Sequence, residues 1–268
     1  MAFNNIDDEI KERQANKGLE SILADFYRLT GKKSEKLYSN DAGEVAKYYE
    51  YIFENLNSNY SLPDVEKFSG RAELDAMLGD EENSSKIGLF ISAALNKVIR
   101  NGEKVSISAR KPINYLCYKL KGAEAYLDIA GDLIGCYSEN SKIHIKTLTA
   151  TDKKIIDYAP PEVIPAGMGF QLLNGIILYH SSLGYGRKNT EIYINEINFL
   201  KRGDLSYKDG ESLLNSYRNA EYILNINYNL DRKKGNKVFL GEDLYDQHPL
   251  FFRVMGIKKY KNKPIYYE

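Results

Sequence analysis

Apolar positions follow a helical period up to about residue 100 and a strand period beyond it. Over 6–30, Ile6, Ile10, Leu19, Ile22, Phe26 and Leu29 recur at helical spacing, with Gly31 as a stop and Gly18 as a candidate break. Asp41 with Glu44 three residues on forms a capping-box pair. Val45, Tyr48, Tyr49, Ile52, Phe53 and Leu56 then line one face of a second helix ending near Asn57. Pro63 and Gly70 are expected to bracket a loop, and Leu74, Met77 and Leu78 a short helix closed by Gly79. A last helix over 85–100 carries Ile87, Ile91, Ala94, Leu95 and Val98 on one side and Leu89, Phe90 and Ile99 on another, so it is expected to be buried on more than one face. Asn101-Gly102 ends it.

Val105 and Ile107 open a region in which one short pattern recurs four times over 113–197. Its anchors are Cys117, Gly135, Gly169 and Gly184, each preceded by an apolar residue (Leu116, Ile134, Met168, Leu183). Five residues after each anchor stands Gly122, Asn140, Asn174 or Asn189, the residue types that enter left-handed backbone space most cheaply. Apolar pairs follow at Ala125/Leu127, Ile143/Ile145, Ile177/Tyr179 and Ile192/Ile194, with the period of two of a strand buried on one face. The pattern predicts positive φ at Asn140 and Asn174, and one buried ladder containing Ile143, Ile177 and Ile192. Anchor spacings of 18, 34 and 15 leave room for a degenerate copy around 151–165. A repeat of this length is short for any helix-containing unit and suits strands and turns alone.

The runs Ala130-Gly-Asp-Leu-Ile-Gly135, Asn140-Ser-Lys-Ile-His-Ile145 and Ala166-Gly-Met-Gly-Phe-Gln-Leu-Leu-Asn-Gly-Ile-Ile177 resemble the Gly-rich repeats of the GXGXG domain. That domain is a right-handed β-helix, found at the C-terminus of the glutamate synthase large subunit and within formylmethanofuran dehydrogenase. The resemblance covers 113–197, and departs from the family at Cys117, where Gly is usual, and in the Pro-rich run Ala159-Pro-Pro-Glu-Val-Ile-Pro165. It implies a spacer and docking surface, and carries no catalytic residues over.

The fold class expected from these readings is α+β: an N-terminal helical cap, a short right-handed single-stranded β-helix (β-solenoid), and a mixed C-terminal tail. The corresponding domains are 1–103, 104–200 and a mixed extension, 201–268, that closes the solenoid. Within that extension 210–222 reads equally as a helix or as a further turn of the repeat, and Leu224, Ile226 and Tyr228 alternate as a strand. Lys233-Lys-Gly-Asn236 reads as a hairpin tip before Val238-Phe-Leu240, and Pro264-Ile-Tyr-Tyr267 as a last strand or tail.

Composition narrows the function classes. Lysine plus arginine equals aspartate plus glutamate at 37 each, without the basic excess typical of nucleic-acid binding, so no nucleic-acid partner is expected. No basic leader precedes an apolar run, and no stretch reaches the roughly 18 apolar residues of a membrane span, so a cytoplasmic protein with no membrane partner is expected. Cys117 and Cys136 fit a reducing compartment. They occupy adjacent columns pointing to opposite faces, and no disulfide between them is expected.

Candidate chemistry is sparse. His144 and His180 follow inward residues and are expected to face out, and with His248 they lack the close ligand spacing of zinc motifs. Asp128, Asp132, Glu139 and Lys142 invite a carboxylate reading, against which Asp132 fits a turn-bonding role after Gly131. The glycines of Ser181-Ser-Leu-Gly-Tyr-Gly186 precede a strand and not a helix, unlike a phosphate loop. Arg232-Lys-Lys234 reads as a solvated turn. No catalytic, cofactor-binding or metal-ligating residue, and no cofactor, is therefore assigned. The expected function is a non-catalytic structural or docking protein with a protein partner or self-association. The alternative is an enzyme acting on a carbohydrate or small substrate along the solenoid face.

Overall fold

The computed structural model describes residues 3–31, 42–57, 59–78, 81–150, 186–199, 233–246 and 257–261. Its helices are α1 (Phe3–Thr30), α2 (Ala42–Asn55), α3 (Leu62–Ser69), α4 (Ala72–Met77), α5 (Glu81–Val98) and the short α6 (Glu242–Tyr245). Its strands are β1 (Lys104–Ile107), β2 (Glu124–Ala130), β3 (Lys142–Ala150), β4 (Glu191–Phe199), β5 (Lys237–Gly241) and β6 (Lys258–Tyr260). Asn174, Ile177, His180, His248, and the stretches 151–165, 210–222, 224–228 and 264–267 lie outside the described residues.

Helix α1 is unbroken at Gly18, where a Cβ would run into the Asp64 carboxylate. Glycine there lets α1 and α3 approach closely. Helix α3 replaces the loop expected between Pro63 and Gly70. Pro63 sits in the first turn, where its missing N–H costs nothing. The Asp64 carboxylate accepts from the Ser61 N–H at 2.7 Å and from its hydroxyl at 2.6 Å. Phe26, Phe68 and Phe90 bring α1, α3 and α5 together, with ring centroids 5.1–5.5 Å apart. Asp25, 1% exposed, ties the end of α2 to α1 by accepting from the Asn57 N–H and side-chain amide and from Arg28.

The six strands form one sheet, all parallel and in sequence order. One residue with positive φ precedes each of the first five strands by two positions: Gly102 (86°), Gly122 (62°), Asn140 (50°), Asn189 (45°) and Gly235 (78°). These corners stack, each N–H donating to a carbonyl of the next layer: Gly102 to Gly122, Gly122 to Glu139, Asn140 to Lys188 and Asn189 to Lys234. The shared corner fixes a shared register. Val105, Ala125, Ile143, Ile192 and Val238 form one inward row, and Ile107, Leu127, Ile145, Ile194 and Leu240 the next, all at most 2% exposed. They join the helices in one hydrophobic core.

The expected β-helix is corrected. The described residues build a single parallel sheet with helices, α+β in character, and no second sheet stands against it among them. The reason lies in the connections. Positive φ recurs at every second residue, at Tyr115, Cys117 and Lys119 and again at Leu133, Gly135 and Tyr137. Backbone of alternating hand cannot extend into strands. The two connections instead stack, Tyr115 N–H donating to Asp132, Gly135 to Leu116 and Lys119 to Cys136. Gly135 lies against the inner face of the sheet, where a Cβ would stand 2.8 Å from Ile143 Cδ1.

Helix α5 lies along the first of these connections with a four-residue stripe of Ser84, Gly88, Ser92 and Asn96. Ser84 donates to the Pro112 carbonyl and accepts from the Asn114 N–H. Ser92 donates to the Tyr115 carbonyl at 2.9 Å and accepts from the Tyr118 N–H at 3.2 Å. Asn96 donates to the Tyr118 carbonyl. The free edge of β1 is closed likewise from α3: Ser106 N–H donates to Glu66 at 2.8 Å and Ser108 N–H to Ser69 Oγ at 3.2 Å. One further expectation is corrected. The turn at Lys234-Gly235 leads into β5, which runs parallel to β4, so 233–236 is not a hairpin tip. Strand β6 forms at Lys258–Tyr260.

Candidate functional site

With one face of the sheet buried, alternation over the first residues of β2 to β5 sends those between the inward rows to the other face, and the common register lines them up in rows across the strands. The first row is Lys104, Glu124, Lys142, Glu191 and Lys237, strictly alternating in charge. Lys237 Nζ is 2.7 Å from Glu191 Oε1, and Lys104 Nζ is 3.9 Å from Glu124 Oε2. A shorter row at the corners repeats the alternation, Glu139 standing between Lys121 at 3.6 Å and Lys188 at 3.3 Å.

The second row is aromatic: Tyr126, His144, Tyr193 and Phe239 stack with centroids 4.6, 4.5 and 4.4 Å apart and planes within 9° of parallel. The spacing is set by the strand separation of about 4.8 Å. Tyr260 adds an edge contact to Tyr193 at 5.4 Å, reaching across the column where β5 has Gly241. Because each inner ring is covered on both faces by its neighbours, the row presents ring edges outward.

The two rows are bonded to each other. Tyr126 donates to Glu124 Oε1 at 2.6 Å and Tyr193 to Glu191 Oε2 at 2.9 Å. His144 Nε2 lies 2.9 Å from the same Glu124 oxygen. Burial and then the Glu124 carboxylate push the Tyr126 phenol up to about 12. Tyr193 is raised in the same way, and Tyr260 reaches about 12 through burial. Partial desolvation works to raise the Glu124 carboxyl, but Tyr126, His144 and Lys104 together outweigh it and hold the group below its ordinary value. Lys237 does the same for Glu191. The carboxylates therefore stay ionised, each with a lysine in the neighbouring strand.

The residues singled out in the sequence are dispersed. Asp132 is 2% exposed, and its backbone bonds the Asn114 side chain and the Tyr115 N–H. Glu139 belongs to the corner row and Lys142 to the first strand row, while Asp128 lies two residues beyond Tyr126. His144 faces outward as expected. Glu124 was missed, and the signal for it was the repeat itself: aligning the columns sets Glu124 opposite Lys142 and next to His144. Cys117 and Cys136 are both buried and neither is in a disulfide, with the Cys117 thiol raised by burial to about 12. Among the described residues no group of three or more His, Cys, Asp or Glu side chains could hold a metal ion. No helix among them is long and apolar enough to cross a membrane. Comparison of the chain with family models, with curated proteins and with solved structures finds no match.

Proposed function

We propose that this chain is a non-catalytic docking protein that engages a protein partner through the outward face of its sheet. The observation that carries this reading is the pair of registered rows, alternating charge beside stacked aromatic edges. Fixed backbone register holds these side chains before any partner arrives, so little ordering cost remains at binding. A sugar ring stacks on an open aromatic face, and here the inner faces are already occupied.

The second reading is an enzyme acting on a carbohydrate or small substrate along this face. The Glu124–His144 pair favours it, since a carboxylate beside an imidazole is a common acid–base couple. One experiment separates the two. A photo-cross-linking residue at exposed position 146 is expected to capture a polypeptide whose binding, rebuilt from purified components, is lost in Lys142→Glu. Turnover of an oligosaccharide or small molecule that is abolished by Glu124→Gln, with no cross-linked polypeptide, overturns the docking reading.

A further inference from the structure

We propose that the partner seated on this face is a second copy of the same chain, related by a two-fold axis that runs along the strands between β3 and β4. The inference rests on the docking reading and supplies its occupant. Such an axis keeps each row at its own height and reverses the order of strands, so β3 meets the partner's β4 and β2 its β5. Because the first row alternates and the axis falls between strands, the four charges on β2 to β5 are each set against an opposite one. Lys142 faces a second Glu191 and Glu124 a second Lys237, each contact occurring twice. An axis passing through a strand would set like against like. The aromatic row is carried onto itself, Tyr126 against Phe239 and His144 against Tyr193, so ring edges meet ring edges.

Five strands about 4.8 Å apart and three outward rows about 6.6 Å apart, the third holding Asp128, Lys146 and Asn195, give a patch of roughly 500 Å² on each copy. The dimer would bury about 1,000 Å² in all, at the lower limit for a specific interface, so association is reversible and concentration-dependent. Lysines at 51–68% exposure in the row leave the pairs open to screening.

The experiment is sedimentation of the purified chain from micromolar to millimolar concentration. The expected result is a monomer–dimer equilibrium weakened by salt. Lys142→Glu and Glu191→Lys each set like charges together twice and are expected to weaken association about tenfold or more. Mixed one to one, the two variants restore the opposite pairs and are expected to form a heterodimer. Loss of fold cannot produce that rescue. Should either variant fail to fold, a photo-cross-linker at position 146 in the otherwise unchanged chain is expected to reach residues around Asn195 of another copy. A dimer indifferent to both variants, a mixture that stays monomeric, or a cross-link confined to other surfaces overturns the proposal. A chain that stays monomeric while position 146 captures a different polypeptide overturns self-association and leaves docking standing. A monomer with no captured polypeptide overturns both.

Discussion

His144 on β3 lies between the parallel rings of Tyr126 and Tyr193, with its Nε2 2.9 Å from Glu124 Oε1 on β2. Desolvation lowers the imidazole pKa below its ordinary 6.5. The Glu124 carboxylate opposes this without cancelling it, and Lys142 and Lys104 add to the lowering. In the window just below 6.5 the unfolded chain therefore binds more protons than the folded one, and stability falls as pH falls. His144→Phe keeps a ring in the stack and removes the titration. Thermal melts from about pH 7 to about pH 5.5 are expected to show a smaller loss of stability in the variant than in the parent. Equal losses would refute this account.

Two serines of α5, two turns apart, have opposite expectations. Ser92 satisfies a carbonyl and an N–H of the connection at Tyr115 and Tyr118, both residues being buried. Ser92→Ala removes both bonds from a buried contact and is expected to cost about 1–3 kcal/mol in urea unfolding. The Ser85 hydroxyl is equally buried and has no hydrogen-bond partner among the described residues. Ser85→Ala is expected to be neutral or stabilising, and a cost equal to that of Ser92→Ala would contradict the geometry.

Gly88 stands where a Cβ would collide with the main-chain carbonyl of Asn114, which cannot swing aside as a side chain could. Alanine normally gains about 1 kcal/mol over glycine inside a helix. Here Gly88→Ala is expected to destabilise by about 1–3 kcal/mol, because α5 must move off the connection it covers. Calorimetry showing a stabilised variant would rule out this contact.

Asn140 and Asn189 turn adjacent corners at φ 50° and 45°, and the Asn189 amide donates to the Asn140 side-chain oxygen at 2.8 Å. Asn140→Ala puts a β-carbon without a local hydrogen bond into left-handed space, and a loss of about 1–2 kcal/mol is expected. Asn140→Gly is expected to be nearly neutral, since the corner needs the conformation more than the side chain. Chemical denaturation of the pair decides the matter, with equal losses counting against a backbone requirement.

How much of this was legible follows from the range over which each signal acts. The corner column at Gly122, Asn140 and Asn189 and the inward pairs Ala125/Leu127, Ile143/Ile145 and Ile192/Ile194 were readable because backbone handedness and period-two burial are local properties that recur in every copy. Helices α1, α2, α4 and α5 were readable for the same reason, through apolar spacing. Helix α3 was missed because Pro63 stops a helix interior but suits a first turn, and only its cap shows which it is. The number of sheets was not legible, since Tyr115, Cys117, Lys119, Leu133 and Tyr137 carry no sequence mark of positive φ. Their alternating hand is imposed by the layer stacked on them and by the serines of α5. The repeat columns align Glu124, Lys142 and Glu191, but only the folded sheet adds Lys104 and Lys237 to that row and closes the Glu124–His144 contact. Local sequence determined that strands and corners repeat. Only the tertiary structure decided which residues the repeat sets side by side, because parallel register couples positions 18 to 49 residues apart and a single-residue slip would send every side chain to the opposite face.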